Sequence, residues 1–193
     1  MQVRGHVLRR HLNYTEERFG LEVLEDALGR CSKGVANALR SAVVEGGLYP
    51  VVWLNSFHEA LAAAADDPEA LWELGHDTTP RAVRDATGLG LHLKSMWSVI
   101  QQLPRVLQDE FQGSTLELEI DESGNRAVMS YRCPGFSRLT WQMVEGGVVG
   151  LLEAAGAHRV EVAPLEGGSD NDDHYRFCVS YQGRPSIPPR PAQ

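Results

Sequence analysis

The stretch TLELEIDESGNRAVMSYR, residues 115–132, decides the fold. Within it Leu116, Leu118 and Ile120 alternate with Glu117, Glu119 and Asp121, a period that reads as a strand with one wet face. Glu122-Ser123-Gly124-Asn125 supplies a turn, and Ala127, Met129 and Tyr131 carry the alternation back along a second strand. A helix is then expected from about Ser137 to Ala155, with Leu139, Met143, Val144, Val148, Leu151 and Leu152 at helical spacing and Gly156 as its stop. Val160 and Val162 mark a third strand; Tyr175, Phe177, Val179 and Tyr181 mark a fourth. The order β-β-α-β-β predicts a four-stranded antiparallel sheet with a helix on one face.

Upstream the period is helical, and the first 112 residues read as helices. Thr15 is the expected N-cap of the first, which carries Phe19, Val23, Leu24, Ala27 and Leu28 and ends at Gly29. Ser32 caps a second through Val35, Ala36, Leu39 and Val43, closed by Gly46-Gly47. Pro50 opens a third, running through Trp53, Phe57 and Leu61 into the alanines at 62–65. Pro68 opens a fourth and Pro80 restarts the chain. A last stretch from about Leu91 to Phe111 is kinked or split by Pro104. The expected class is therefore α+β. Residues 1–181 form one domain, with a helical half at 1–112 and a sheet half at 113–181, and the proline-rich residues 182–193 form an extended tail.

The formal net charge of −8 argues against nucleic acid, which calls for a basic stripe. No apolar run has the roughly 18–20 residues of a membrane span, and the start lacks the apolar core of a secretory signal. Cys31, Cys133 and Cys178 are odd in number and far apart, which fits reduced thiols and a cytoplasmic location.

Motifs for catalysis are missing. The seven histidines fall at no zinc-protease spacing, no cysteine pair is spaced C-x-x-C, and no G-x-S-x-G occurs. The acidic segment Ser169–His174 lacks the glycine and distal glutamate of an EF-hand and reads as a solvated hairpin loop. Gly146, Gly147 and Gly150 lie inside an apolar helix at a cost of about 1 kcal/mol each, so close packing against the sheet or a partner subunit is expected. No catalytic residue, metal ligand or cofactor is assigned.

The most distinctive segment is Ser130-Tyr131-Arg132-Cys133-Pro134-Gly135-Phe136, where a strand ends in a Cys-Pro-Gly turn before a helix. One reading is a core tyrosine beside a small buried thiol. The other is a ligand pocket, with Tyr131, Cys133 and unpaired N–H groups of the helix start as its polar side. Trp97, Ile100, Met129 and Phe136 would complete that site.

The element order, together with short motifs spread over residues 3–181, resembles the superfamily uniting heme-based nitric-oxide/oxygen-binding domains, 4-vinyl reductase domains and small TRAPP subunits. Within it the chain is most similar to a group of myxobacterial paralogues. The motifs are Glu17-Arg18-Phe19-Gly20, Tyr49-Pro50, Leu74-Gly75, Gly88-Leu89-Gly90, Leu103-Pro104, Tyr131-x-Cys133-Pro134, the glycines at 146, 150 and 156, and Tyr175-Arg176-Phe177. The resemblance implies helices and a four-stranded sheet around an apolar pocket. Its heme-binding branch needs a proximal histidine on the helix before the first strand and a Tyr-x-Ser-x-Arg clamp. Tyr131 matches that clamp, Cys133 and Gly135 replace its serine and arginine, and His92 lies upstream of the ligand position. No heme is expected. Cys178 alone stands where the vinyl-reductase branch clusters cysteines. The expectation is a non-catalytic sensor that binds a small apolar molecule. The alternative is a protein-interaction adaptor acting as a homodimer through helical surface at Trp53, Phe57 and the alanine run.

Overall fold

A computed structural model describes residues 1–87, 96–121, 125–170 and 172–182, without the side chains at 87, 96 and 97. The expected turn at Glu122–Gly124, the Gly88-Leu89-Gly90 motif, His92, Asn171, the side chain of Trp97 and the tail beyond Gln182 lie outside the described residues.

The chain opens with strand β1 (Gln2–Arg4) and helices α1 (Gly5–Phe19), α2 (Leu21–Arg30) and α3 (Lys33–Ser41). Strand β2 (Leu48–Pro50) leads into α4 (Val51–Ala65) and α5 (Ala70–Thr87), followed by α6 (Met96–Ile100), α7 (Leu103–Glu110) and β3 (Phe111–Gln112). The sheet half holds β4 (Thr115–Ile120), β5 (Arg126–Arg132), α8 (Arg138–Ala154), β6 (His158–Gly167) and β7 (His174–Gln182). Its strands form one antiparallel sheet in the order β4-β5-β7-β6. Register lines up Leu116, Tyr131 and Tyr175 in one rung and Leu118, Met129 and Phe177 in the next. The alternating apolar residues thus share the face covered by α8, as the period predicts.

The helical half departs from the sequence reading in several places. Three short strands interrupt it, and β2, β1 and β3 pair antiparallel as a second sheet. Thr15 is no N-cap: α1 already begins at Gly5, and the Thr15 hydroxyl donates to the His11 carbonyl within the helix. The expected first helix is broken at Gly20, whose φ of 90° only glycine adopts cheaply, and α2 runs past Gly29 to Arg30. Ser32 does cap α3, accepting from the Val35 amide, but α3 stops at Ser41, short of the two glycines. Pro104 splits the last stretch by sitting in the first turn of α7.

Pro80 does not restart the chain; α5 continues through it. The His76 carbonyl, which a residue other than proline at 80 would engage, lies against Gly150 of α8 instead. A Cβ on Gly150 would overlap that carbonyl, one on Gly146 the carbonyl of Trp72, and one on Gly75 the carbonyl of Met143. The glycines therefore serve a backbone-to-backbone crossing of α5 and α8, neither against the sheet nor against a partner. Phe57 is likewise a core side chain of the monomer, not helical surface.

Candidate functional site

Helices α1, α5 and α7 enclose a cleft of about 1170 Å³. Its walls are polar: Arg9 and Arg10 come from α1, Arg81 and Asp85 from α5, Arg105 and Asp109 from α7. At its base the Arg10 guanidinium meets the Glu110 carboxylate at 2.8 Å, with His6 Nε2 3.9 Å from the same oxygen. Beneath lies a second cavity of about 30 Å³, room for a few waters or one very small molecule. Arg10, Ala82, Val106 and Glu110 belong to both linings, so the ion pair stands at their common wall. The small cavity is otherwise apolar, with Leu103, Val106 and Leu107 of α7 facing Met143, Val144 and Val148 of α8. His11 of α1 and Thr79 of α5 are its neutral polar members.

His11 opens onto a buried polar network. Its Nδ1 lies 3.1 Å from Nε2 of His58 on α4, and His58 Nδ1 lies 2.9 Å from the Thr140 hydroxyl on α8. Thr140 donates to Asn55 Oδ1 at 2.9 Å. Asn55 is anchored by the backbone, donating from Nδ2 to the Gly135 carbonyl and accepting the Ser137 amide. His11, His58 and Thr140 are all buried. Burial drops the His58 imidazole to about 3. Burial, then the neighbouring His58 and Arg10, hold His11 well below the usual histidine range. Both rings are neutral at physiological pH.

The expected Tyr131 corner is placed differently. Tyr131, Cys133, Phe136, Met129 and Ile100 are all buried, and none of them lines the cleft or the small cavity. Tyr131 packs edge-on against Phe136 and Trp141, with ring centroids 6.1 and 5.8 Å away. Among the described residues its hydroxyl makes no direct hydrogen bond, with Ser114 and Cys133 as its polar neighbours, and burial, then Cys133, pushes the phenol well up. The Cys133 thiol lies 3.2 Å from the Met1 sulfur, and burial pushes it up as well. The helix start next to this corner does not leave its donors unpaired. Ser137 N–H donates to Asn55, Arg138 N–H to Asp170, and Thr140 N–H to the Ser137 hydroxyl. The acidic loop thus caps α8, and no cluster of three or more metal-ligating side chains occurs among the described residues.

Sequence reasoning missed His11, His58 and the Arg10–Glu110 pair. A signal existed for the first two. His11 follows Val7 and Leu8 at helical spacing, and His58 follows Leu54 and Phe57, which puts each imidazole on an apolar helix face. Their meeting across 47 residues is tertiary.

No helix among the described residues is long and apolar enough to cross a membrane. The sequence matches no family profile and no curated protein. Solved structures are similar to it. An unliganded Fe(II) H-NOX protein from K. algicida is 13% identical, covers 95% of this chain and 99% of its own, with a TM-score of 0.69. A point mutant of the T. Tengcongensis H-NOX is 12% identical over 93% and 98%, with a TM-score of 0.70. An oxygen-binding H-NOX domain related to soluble guanylate cyclases is 12% identical over 93% and 95%, also at 0.70. At such identities the likeness is one of fold: the chain has an H-NOX-like α+β architecture.

Proposed function

We propose that this chain is a heme-free, non-catalytic sensory module that binds a small molecule with an apolar body where the cleft meets the cavity beneath it. The observation that carries the reading is the apolar cavity under the Arg10–Glu110 pair, with a neutral imidazole in its wall. Apolar walls with a few converging polar groups are what a small-molecule site requires. The H-NOX neighbours, among them an Fe(II) protein and an oxygen-binding domain, add the analogy of a sensor fold.

The residues do not fit a heme. The helix preceding the sheet, α7, turns Leu103, Val106 and Leu107 to the cavity and carries no histidine. The cavity, at about 30 Å³, has no room for a porphyrin. The buried imidazoles of His11 and His58 engage each other. Gly135 offers no cation where the family clamp has arginine, so a propionate would find no partner there. The three free, buried cysteines support a cytoplasmic setting.

A second reading, the homodimeric adaptor on the model of small TRAPP subunits and the myxobacterial paralogues, has its own observation. Val44, Leu48 and Val52 are exposed beside the edge strand β2. Native mass spectrometry of the purified chain separates the two. A monomer with a small-molecule adduct supports the sensor, and a bare dimer supports the adaptor. A Soret band in protein from heme-supplemented cells overturns the heme-free assignment.

A further inference from the structure

The hydrogen-bond network that ends at His11 has only one direction in which its protons can run. Asn55 Oδ1 carries no hydrogen, and its identity as the oxygen is fixed because the Ser137 amide donates to it while Nδ2 donates to the Gly135 carbonyl. The Thr140 hydroxyl donates its single proton to Asn55 at 2.9 Å and accepts from the Ser137 hydroxyl, which lies farther off at 3.2 Å. Thr140 then meets His58 Nδ1 only as an acceptor, so His58 carries its proton on Nδ1. A neutral His58 keeps a lone pair on Nε2, and His11 Nδ1 must donate to it across 3.1 Å. His11, neutral as well, then keeps its acceptor lone pair on its own Nε2. His11 lines the small cavity and His58 does not, so the Nε2 edge is the part of the ring left for the cavity wall.

We infer that His11 Nε2 is a preset hydrogen-bond acceptor in an otherwise apolar cavity, and that the site takes a small neutral hydrogen-bond donor, a short alcohol or a molecule of that class. A donor is selected because the acceptor cannot switch roles: reversing His11 would break a hydrogen bond at every link back to Asn55, each in a buried, low-dielectric place. Neutrality is selected by the walls. Leu103, Val106, Met143 and Val148 give no counter-charge, and the charges of Arg10 and Glu110 at the boundary are spent on each other at 2.8 Å. His58, Thr140 and Asn55 are positioning residues, since they act on the ligand only through His11. The inference rests on the cleft and its cavity being the ligand site, as proposed above.

Nitrogen-15 spectra of the full chain, labelled at histidine, read the tautomers directly at neutral pH. The expected result is Nδ1–H on both His11 and His58 with an unprotonated Nε2 on His11. A proton on His11 Nε2 overturns the inference. Methanol and xenon then serve as probes, the first a donor and the second purely apolar. Both are expected to shift the methyl signals of Val106, Met143 and Val148. In Thr140→Val, which releases the tautomer without touching the cavity, methanol is expected to bind roughly tenfold more weakly, about the worth of one hydrogen bond, while xenon binds as before. Equal methanol binding in the variant overturns the donor assignment and leaves the cavity as the ligand site. If neither probe moves those methyl signals in the wild-type chain, the cavity reading itself falls. Should Thr140→Val not fold, the wild-type tautomer decides alone.

Discussion

The Arg10 guanidinium and the Glu110 carboxylate, 100 residues apart in sequence, meet at 2.8 Å in the wall shared by the polar cleft and the apolar cavity. Both side chains are mostly buried, so neither charge is well solvated without the other. Arg10→Ala is expected to cost about 3 kcal/mol, near the lower end for breaking a buried pair, because it strands the carboxylate. Replacing both residues with leucine is expected to cost far less. Urea unfolding of the two single variants and the double variant measures the difference, and equal losses in the single and double variants would refute the pairing as a stabilising unit.

The His58–His11 pair makes the fold acid-sensitive. Both imidazoles have folded-state pKa values below the unfolded one, His58 at about 3. The unfolded chain therefore takes up protons first as pH falls below about 6.5. Stability is complete above that pH and declines down to about 3, at about 1.4 kcal/mol per pH unit for each histidine still neutral in the fold. Denaturation midpoints followed from pH 8 to pH 4 should drop more steeply in the wild type than in His58→Gln.

The crossing of α5 and α8 leaves no room for one methyl group. Gly146→Ala would press a Cβ into the Trp72 carbonyl, a backbone atom that cannot rotate away. The expected loss is about 1–3 kcal/mol or more, which for a chain of this size lowers the melting temperature by roughly 2–4 °C per kcal/mol. Gly34, whose added Cβ meets nothing, is the control: Gly34→Ala should hold or raise the melting temperature.

Tyr131 carries a buried hydroxyl with no direct hydrogen bond among the described residues. Tyr131→Phe removes a desolvated group without breaking a hydrogen bond, so stability should hold or rise by up to about 1 kcal/mol. A loss beyond that, read by calorimetry, would mean that the hydroxyl is bonded in solution.

Alternation alone determined the sheet. Leu116, Leu118 and Ile120 on one strand, and Ala127, Met129 and Tyr131 on the next, bury one common face in the observed register, which a one-residue slip would turn to solvent. The glycines at 146 and 150 likewise announced a close backbone approach, because nothing else justifies their cost in a helix. What they approach was not legible, since a missing side chain does not name its neighbour. Thr15 looked like a cap because a hydroxyl ahead of Glu16 and Glu17 fits that pattern. Only packing showed that Val7, Leu8 and His11 carry the helix back to Gly5.

The proposed site rests on tertiary structure. Tyr131 and Cys133 stood out in sequence by their local company, and the fold packs them into an aromatic cluster. His11 and His58 showed in sequence only as polar residues on apolar helix faces, Thr140 and Asn55 fit no spacing rule, and Arg10 and Glu110 are ordinary residues of two separate helices. Each interaction among them is short-ranged, acting over about 3 Å, whereas sequence pattern reports only which face of an element is apolar. The angle at which α1, α4, α7 and α8 meet fixes which polar groups on those faces come within reach, and that angle is set by packing of the whole core.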